Sequence, residues 1–152
     1  MKSKENKHLG SRFDDFLAEE GIQISIMTNP VNAFEIPVVD LERAMHFYEA
    51  VFSFTFERAD VDGNEMAWFP LHEDAPGISG ALAKGDSYTP SIDGSRLYFS
   101  VQDIDAALAK ATAAGGKMMY PKTDVGALGF VAEFEDSEGN RIALHMPSNV
   151  HP

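Results

Sequence analysis

The chain of 152 residues contains no cysteine. This excludes a disulfide framework, a thiol nucleophile and any thiolate metal site. Long apolar runs are also missing, and no window approaches the roughly 18 residues of a membrane span. The opening MKSKENKHLG lacks the apolar stretch of a signal peptide, so a cytoplasmic protein with no membrane partner is expected. Basic residues are scarce: 12 Lys and Arg are scattered among 24 Asp and Glu, for a net charge of −12. A nucleic-acid surface needs clustered cations, so no nucleic-acid partner is expected. There is no Gly-rich phosphate loop, and no Ser-His-Asp arrangement can be argued from spacing. What remains is ordinary for a globular protein, with 44% hydrophobic and 24% charged residues. The length suits one domain, or two small modules sharing a core.

An internal repeat organises most of the chain. FEIPVVDLERAMHFYEAVFSF from Phe34 and LYFSVQDIDAALAKATAAGGK from Leu97 superpose with an offset of 63 (97 − 34). Phe34 then meets Leu97, Ile36 meets Phe99, Val38 meets Val101, and Asp40 meets Asp103. Each copy starts as an alternating strand, followed by an Asp suited to cap a helix with its carboxylate. Leu41, Met45, Tyr48 and Phe52 form one apolar stripe, and Ile104, Leu108 and Ala111 form the other. Three strand-like runs follow each helix: FTFERADV, EMAWFP and SGALAKG in the first copy, with Asp62-Gly63 as a hairpin turn. In the second copy they are residues 116–120, FVAEFED and NRIALHM, the last two joined through SEG. The pattern is βαβββ twice, with GDSYTPSIDGS as linker.

Residues 1–28 lie outside the repeat. There Ser11 is placed to cap a short amphipathic helix bearing Phe13, Phe16 and Leu17, which Gly21 would stop. The expected division is a leader over 1–28 and a domain over 29–152, with modules at about 30–85 and 95–147.

The paired units, with DLERAxxFYEAVF in the first and DSEGNRIAL in the second, resemble the glyoxalase/bleomycin resistance/dioxygenase (vicinal oxygen chelate) superfamily. The resemblance covers about residues 30–147. It implies an α+β fold, with two βαβββ modules curling a sheet around a cleft. It also implies a range of activities, from lyases, isomerases and dioxygenases to proteins that only bind drugs, and a tendency to form homodimers. Metal enzymes of the family place a His or Gln seven residues before each helix-capping Asp, and a Glu in the last strand of each module. Here those places hold Ala33, Arg96, Ala81 and Ala143. Alanine has no donor atom and a guanidinium repels a cation, so no metal cofactor is expected at the usual site.

Family geometry assigns Glu35, Trp68, Arg96, Tyr98, Glu133 and His145 to the cleft, an aromatic-walled set with mixed polar groups. Each has two readings. His145 and Glu35 are the candidate catalytic pair, as acid-base groups; otherwise His145 is a hydrogen-bonded structural histidine and Glu35 an ion-pair partner of Arg96. Arg96 can grip an anionic ligand with its fork, while Trp68 can stack on a planar one or simply pack. Tyr98 can offer its hydroxyl to a ligand or to a neighbouring carboxylate. Glu133 is either a cleft group or a solvated charge. His46 and His72 are set aside as a helix-surface and a loop residue. DVDGNE and DSEGN read as hairpin turns rather than calcium loops, since neither supplies spaced ligands and a late Glu.

The leading expectation is therefore a glyoxalase-like protein binding a small organic molecule without a metal at the usual site, with turnover left open. The alternatives are a divalent-metal lyase or isomerase using shifted ligands such as Glu35 and His145, and a regulatory or interaction module.

Overall fold

The computed structural model describes residues 29–148. The leader over 1–28, with the helix expected around Phe13, Phe16 and Leu17, lies outside the described residues. Every element below belongs to one compact unit that begins at Ala33.

The first module comprises β1 (Phe34–Pro37), α1 (Leu41–Phe52), β2 (Glu57–Val61), β3 (Asn64–Trp68) and β4 (Gly80–Lys84). The second comprises β5 (Tyr98–Ser100), α2 (Ile104–Ala113), β6 (Lys117–Asp124), β7 (Phe130–Glu135) and β8 (Arg141–Met146). A 3₁₀ turn at Gly126–Leu128 precedes β7. The sheet orders are β1-β4-β3-β2 and β5-β8-β7-β6, so each module repeats the same topology. In both, the first strand pairs in parallel with the last and the remaining pairs are antiparallel. The result is an α+β protein with two four-stranded mixed sheets and no closed barrel.

Local chemistry explains the boundaries. Asp40 accepts from the Arg43 N–H at 3.0 Å and Asp103 from the Ala106 N–H at 3.1 Å, so both expected caps form. Asp62 and Gly63 take φ of 51° and 79°, the paired left-handed conformation that matches a two-residue hairpin to the twist of its strands. Strand β6 runs on to Asp124, past the expected end at residue 120. Its register with β7 shifts on either side of Tyr120, near Pro121, which an edge strand tolerates because its outer N–H side needs no partner.

The apolar stripes are rotated from the expected ones. On α1 the buried residues are Leu41, Ala44, Phe47, Tyr48 and Val51, with Met45 and Phe52 at the margin. On α2 they are Ile104, Ala107 and Ala111, with Leu108 at the margin. The cause on α1 is contact with both modules. Phe47 packs on Phe134 of β7 at 5.8 Å between centroids, and Phe52 stacks on Phe99 of β5 at 4.9 Å. Phe34 of β1 meets Phe99 edge-on at 5.9 Å. One core thus spans the two sheets, and each aromatic pair adds roughly 0.5–1.5 kcal/mol beyond its area burial.

A polar network joins the modules as well. DSEGN does form the turn between β7 and β8, with Gly139 at φ 96°. Its side chains, however, reach into the first module. Glu138 accepts from the N–H groups of Val39 and Asp40 at 2.9 and 2.8 Å, and from the Arg43 guanidinium at 2.8 and 3.1 Å. Burial alone would raise the Glu138 carboxyl. The bonds from Arg43, Asp40, Ser137 and Val39 outweigh it and bring the pKa down to about 2. Buried Asp136 accepts the Tyr48 hydroxyl at 2.7 Å. Burial, then the neighbouring Asp136 carboxylate, pushes that hydroxyl well above the usual tyrosine range. Asn140 donates to the Pro37 carbonyl at 2.8 Å and accepts from the Ser91 N–H at 3.1 Å.

Candidate functional site

Period-2 alternation gives each sheet one face toward the shared core and one away from it. In the first sheet Ile36, Leu82 and Ala67 are in register on the core face, and Glu35, Ala81, Trp68 and Glu57 on the other. In the second, Phe99, Leu144 and Ala132 face the core, while Tyr98, Ala143, Glu133 and Tyr120 share the second face. The two rows correspond position by position. Glu35 matches Tyr98, Ala81 matches Ala143, and Trp68 matches Glu133. This is the correspondence expected from the repeat.

Not all six expected residues come together. Glu133 is 7% exposed and sits between two guanidiniums. The Arg141 Nε donates to one of its oxygens, and Arg96 Nη1 lies 3.4 Å from the other. Glu133 is therefore not a solvated charge. Glu35 does not pair with Arg96; its carboxylate accepts the Tyr88 hydroxyl at 2.8 Å, which raises the pKa of that phenol. Among the described residues no cation pairs with Glu35. His145 places Nε2 2.5 Å from the Leu128 carbonyl oxygen of the 3₁₀ turn, so its ring ties β8 to that turn. Trp68 and Tyr98 are open, at 40% and 55% exposure.

A cavity of about 230 Å³ opens where the first strand of one sheet approaches the start of the last strand of the other. Its walls include Glu35 and Pro37 of β1, Asn140 and Arg141 at the head of β8, and Thr89, Ser91 and Ser95 from the connection between modules. Of the six expected residues only Glu35 lines it. That connection is part of the site and not merely a linker. Tyr88 packs against Met66, Ala81 and Ala83 as well as bonding to Glu35, and Ser91 bonds to Asn140. The signal for Arg141 lay in the same alternation that selects Ala143 and His145. Tyr88 carried only the signal of an aromatic within a polar stretch.

The residues do not fit the metal that the fold family implies. Ala81 and Ala143 are 0% exposed and occupy the middle of their sheets. Ala33 offers no donor, and Arg96 is engaged with Glu133. Among the described residues no three His, Asp or Glu side chains converge on one point. Glu35 and His145 belong to different sheets and have separate partners. Among the described residues no helix is long and apolar enough to cross a membrane.

The model of the glyoxalase/bleomycin resistance protein/dioxygenase superfamily matches residues 30–144. The chain belongs to that superfamily. A glyoxylase-like domain-containing protein of Didymella fabae is 29% identical over 126 residues, covering 78% of this chain and 94% of the relative. The putative glyoxylase CFP32 of Mycobacterium bovis is 29% identical over 105 residues, 69% of this chain; the match spans 39% of the relative's length. Among solved structures, TnmS3 of Streptomyces sp. CB03234, described as an antibiotic binding protein, aligns with a TM-score of 0.57 at 25% identity. That alignment covers 80% of this chain and 98% of TnmS3.

Proposed function

We propose that this superfamily member binds a small organic molecule at the seam between its two sheets, without a metal at the position the family's metal enzymes use. One observation carries the reading. The matched mid-sheet positions are two covered alanines, Ala81 and Ala143, while a largely apolar cavity with a few charged and polar groups opens nearby. Glu35 is the direct strand partner of Ala81, and Arg141 lies two residues before Ala143. Buried Glu133 holds the Arg141 guanidinium, and the Tyr88 hydroxyl holds the Glu35 carboxylate, so the charged walls are preorganised before a ligand arrives. At about 230 Å³ the cavity falls below the roughly 300 Å³ at which drug-sized pockets begin, which suits a small ligand. The likeness to an antibiotic-binding protein supports binding as the function. The exposed Trp68, Tyr98 and Tyr120 on the second faces favour a homodimer that covers part of them.

Calorimetric titration of the untagged protein with nickel, zinc, iron and manganese ions tests the metal half of the reading. No stoichiometric site is expected. Binding of one ion per chain with a dissociation constant near micromolar would overturn it.

A further inference from the structure

Two opposite charges face one cavity without closing on each other. Glu35 and Arg141 both line it, yet no ion pair joins them. Each is held back by a partner. The Tyr88 hydroxyl anchors Glu35, and no cation among the described residues pairs with that carboxylate. Glu133 anchors Arg141 through its Nε and is shared with Arg96, so two guanidiniums stand against one carboxylate. A cleft with an acidic residue on one wall and a basic residue on the other, not joined to each other, complements a molecule carrying both signs. Ser91 and Ser95 also line the cavity and add neutral hydrogen-bonding groups.

Resting on the binding function proposed above, we infer that the ligand is a small zwitterion, an amino acid or similar amino-carboxylate. Its ammonium group faces Glu35 and its carboxylate faces Arg141. The guanidinium fork suits a carboxylate, while the free lone pairs of Glu35 suit an ammonium. A ligand with only one charge leaves the opposite wall unpaired and gives up a charge-assisted hydrogen bond. That loss is worth about tenfold or more in affinity.

The test is a series of titrations of the full ¹⁵N-labelled chain, followed by its amide resonances. The probes are the standard L-amino acids, each beside its analogue lacking the amino group and its analogue lacking the carboxylate. At least one amino acid should shift the amides of Ser91, Ser95 and Arg141, with both analogues at least about tenfold weaker. In Glu35→Gln, which retains a hydrogen-bond acceptor for Tyr88, the advantage of the amino acid over its deaminated analogue should disappear. Binding of the deaminated analogue as tightly as the amino acid would overturn the zwitterion assignment while leaving the binding function standing. The same holds if Glu35→Gln retains full discrimination. Absence of any shift at those amides with every probe would overturn both.

Discussion

Glu138 and Glu133 show how a side chain's role depends on what lies above its strand or turn. Alternation placed Glu133 on the second face of β7 but said nothing of the two arginines that flank it, since Arg96 lies 37 positions earlier in the chain (133 − 96). The turn chemistry of DSEGN was legible from Gly139, but the reach of Glu138 to Val39, Asp40 and Arg43 depends on how the modules pack. The low pKa of Glu138 makes a signed prediction. Its native value is about 2 against a reference of 4.5, so its contribution is present above that reference and lost as pH falls toward 2. The shift corresponds to about 3 kcal/mol. Urea denaturation of wild type and Glu138→Gln should therefore differ by about 2–3 kcal/mol at pH 7, with the gap narrowing below pH 4.5. A constant gap down to pH 2 would show that ionisation of Glu138 is not what the network uses. His145 was legible as a cleft-face residue; its bond to the Leu128 carbonyl was not, because that turn is invisible to strand periodicity. His145→Ala should cost about 0.5–1.5 kcal/mol in urea and speed amide exchange in the Gly126–Leu128 turn. Unchanged stability with weakened ligand binding would instead make the ring a ligand contact.

Elements were largely readable, since caps, hairpins and alternation act locally. Asp40, Asp103 and Asp62-Gly63 mark boundaries where the structure has them, and both βαβββ orders follow. The errors lie where tertiary contact decides. The buried side of α1 turned toward Phe47 because Phe134 covers it, and the connection over 85–95 became a wall of the cavity because Tyr88 found Glu35. At the start of β4, Gly80 shows why a small residue is required. A Cβ there would lie 2.0 Å from the Phe34 carbonyl oxygen, in the parallel pairing that positions Glu35. Gly80→Ala must push β1 off β4. A loss of about 2 kcal/mol or more is expected, within the usual range for overpacking. Thermal denaturation measures it, and an unshifted melting temperature would mean that β1 moves freely.

The two modules behave as one cooperative body, because they share aromatic contacts through Phe99 and Phe134 and the buried bond from Tyr48 to Asp136. Calorimetry should give a single unfolding transition for the two modules, and two transitions separated in temperature would show that the shared core is weaker than each module. The overall architecture was visible in the 63-residue repeat, and the mismatch with a metal centre was visible in Ala33, Ala81, Arg96 and Ala143. The cavity was not, since it arises from strands of different modules and the connection between them. The central claim is that this cavity holds a small organic molecule and that no metal occupies the position the family's metal enzymes use. Native mass spectrometry of protein purified without an affinity tag tests it most directly. The account predicts the mass of the chain plus a small organic adduct that is lost on collisional activation, with no increment of a divalent ion. One divalent ion per chain, retained on activation and without any organic adduct, would contradict it.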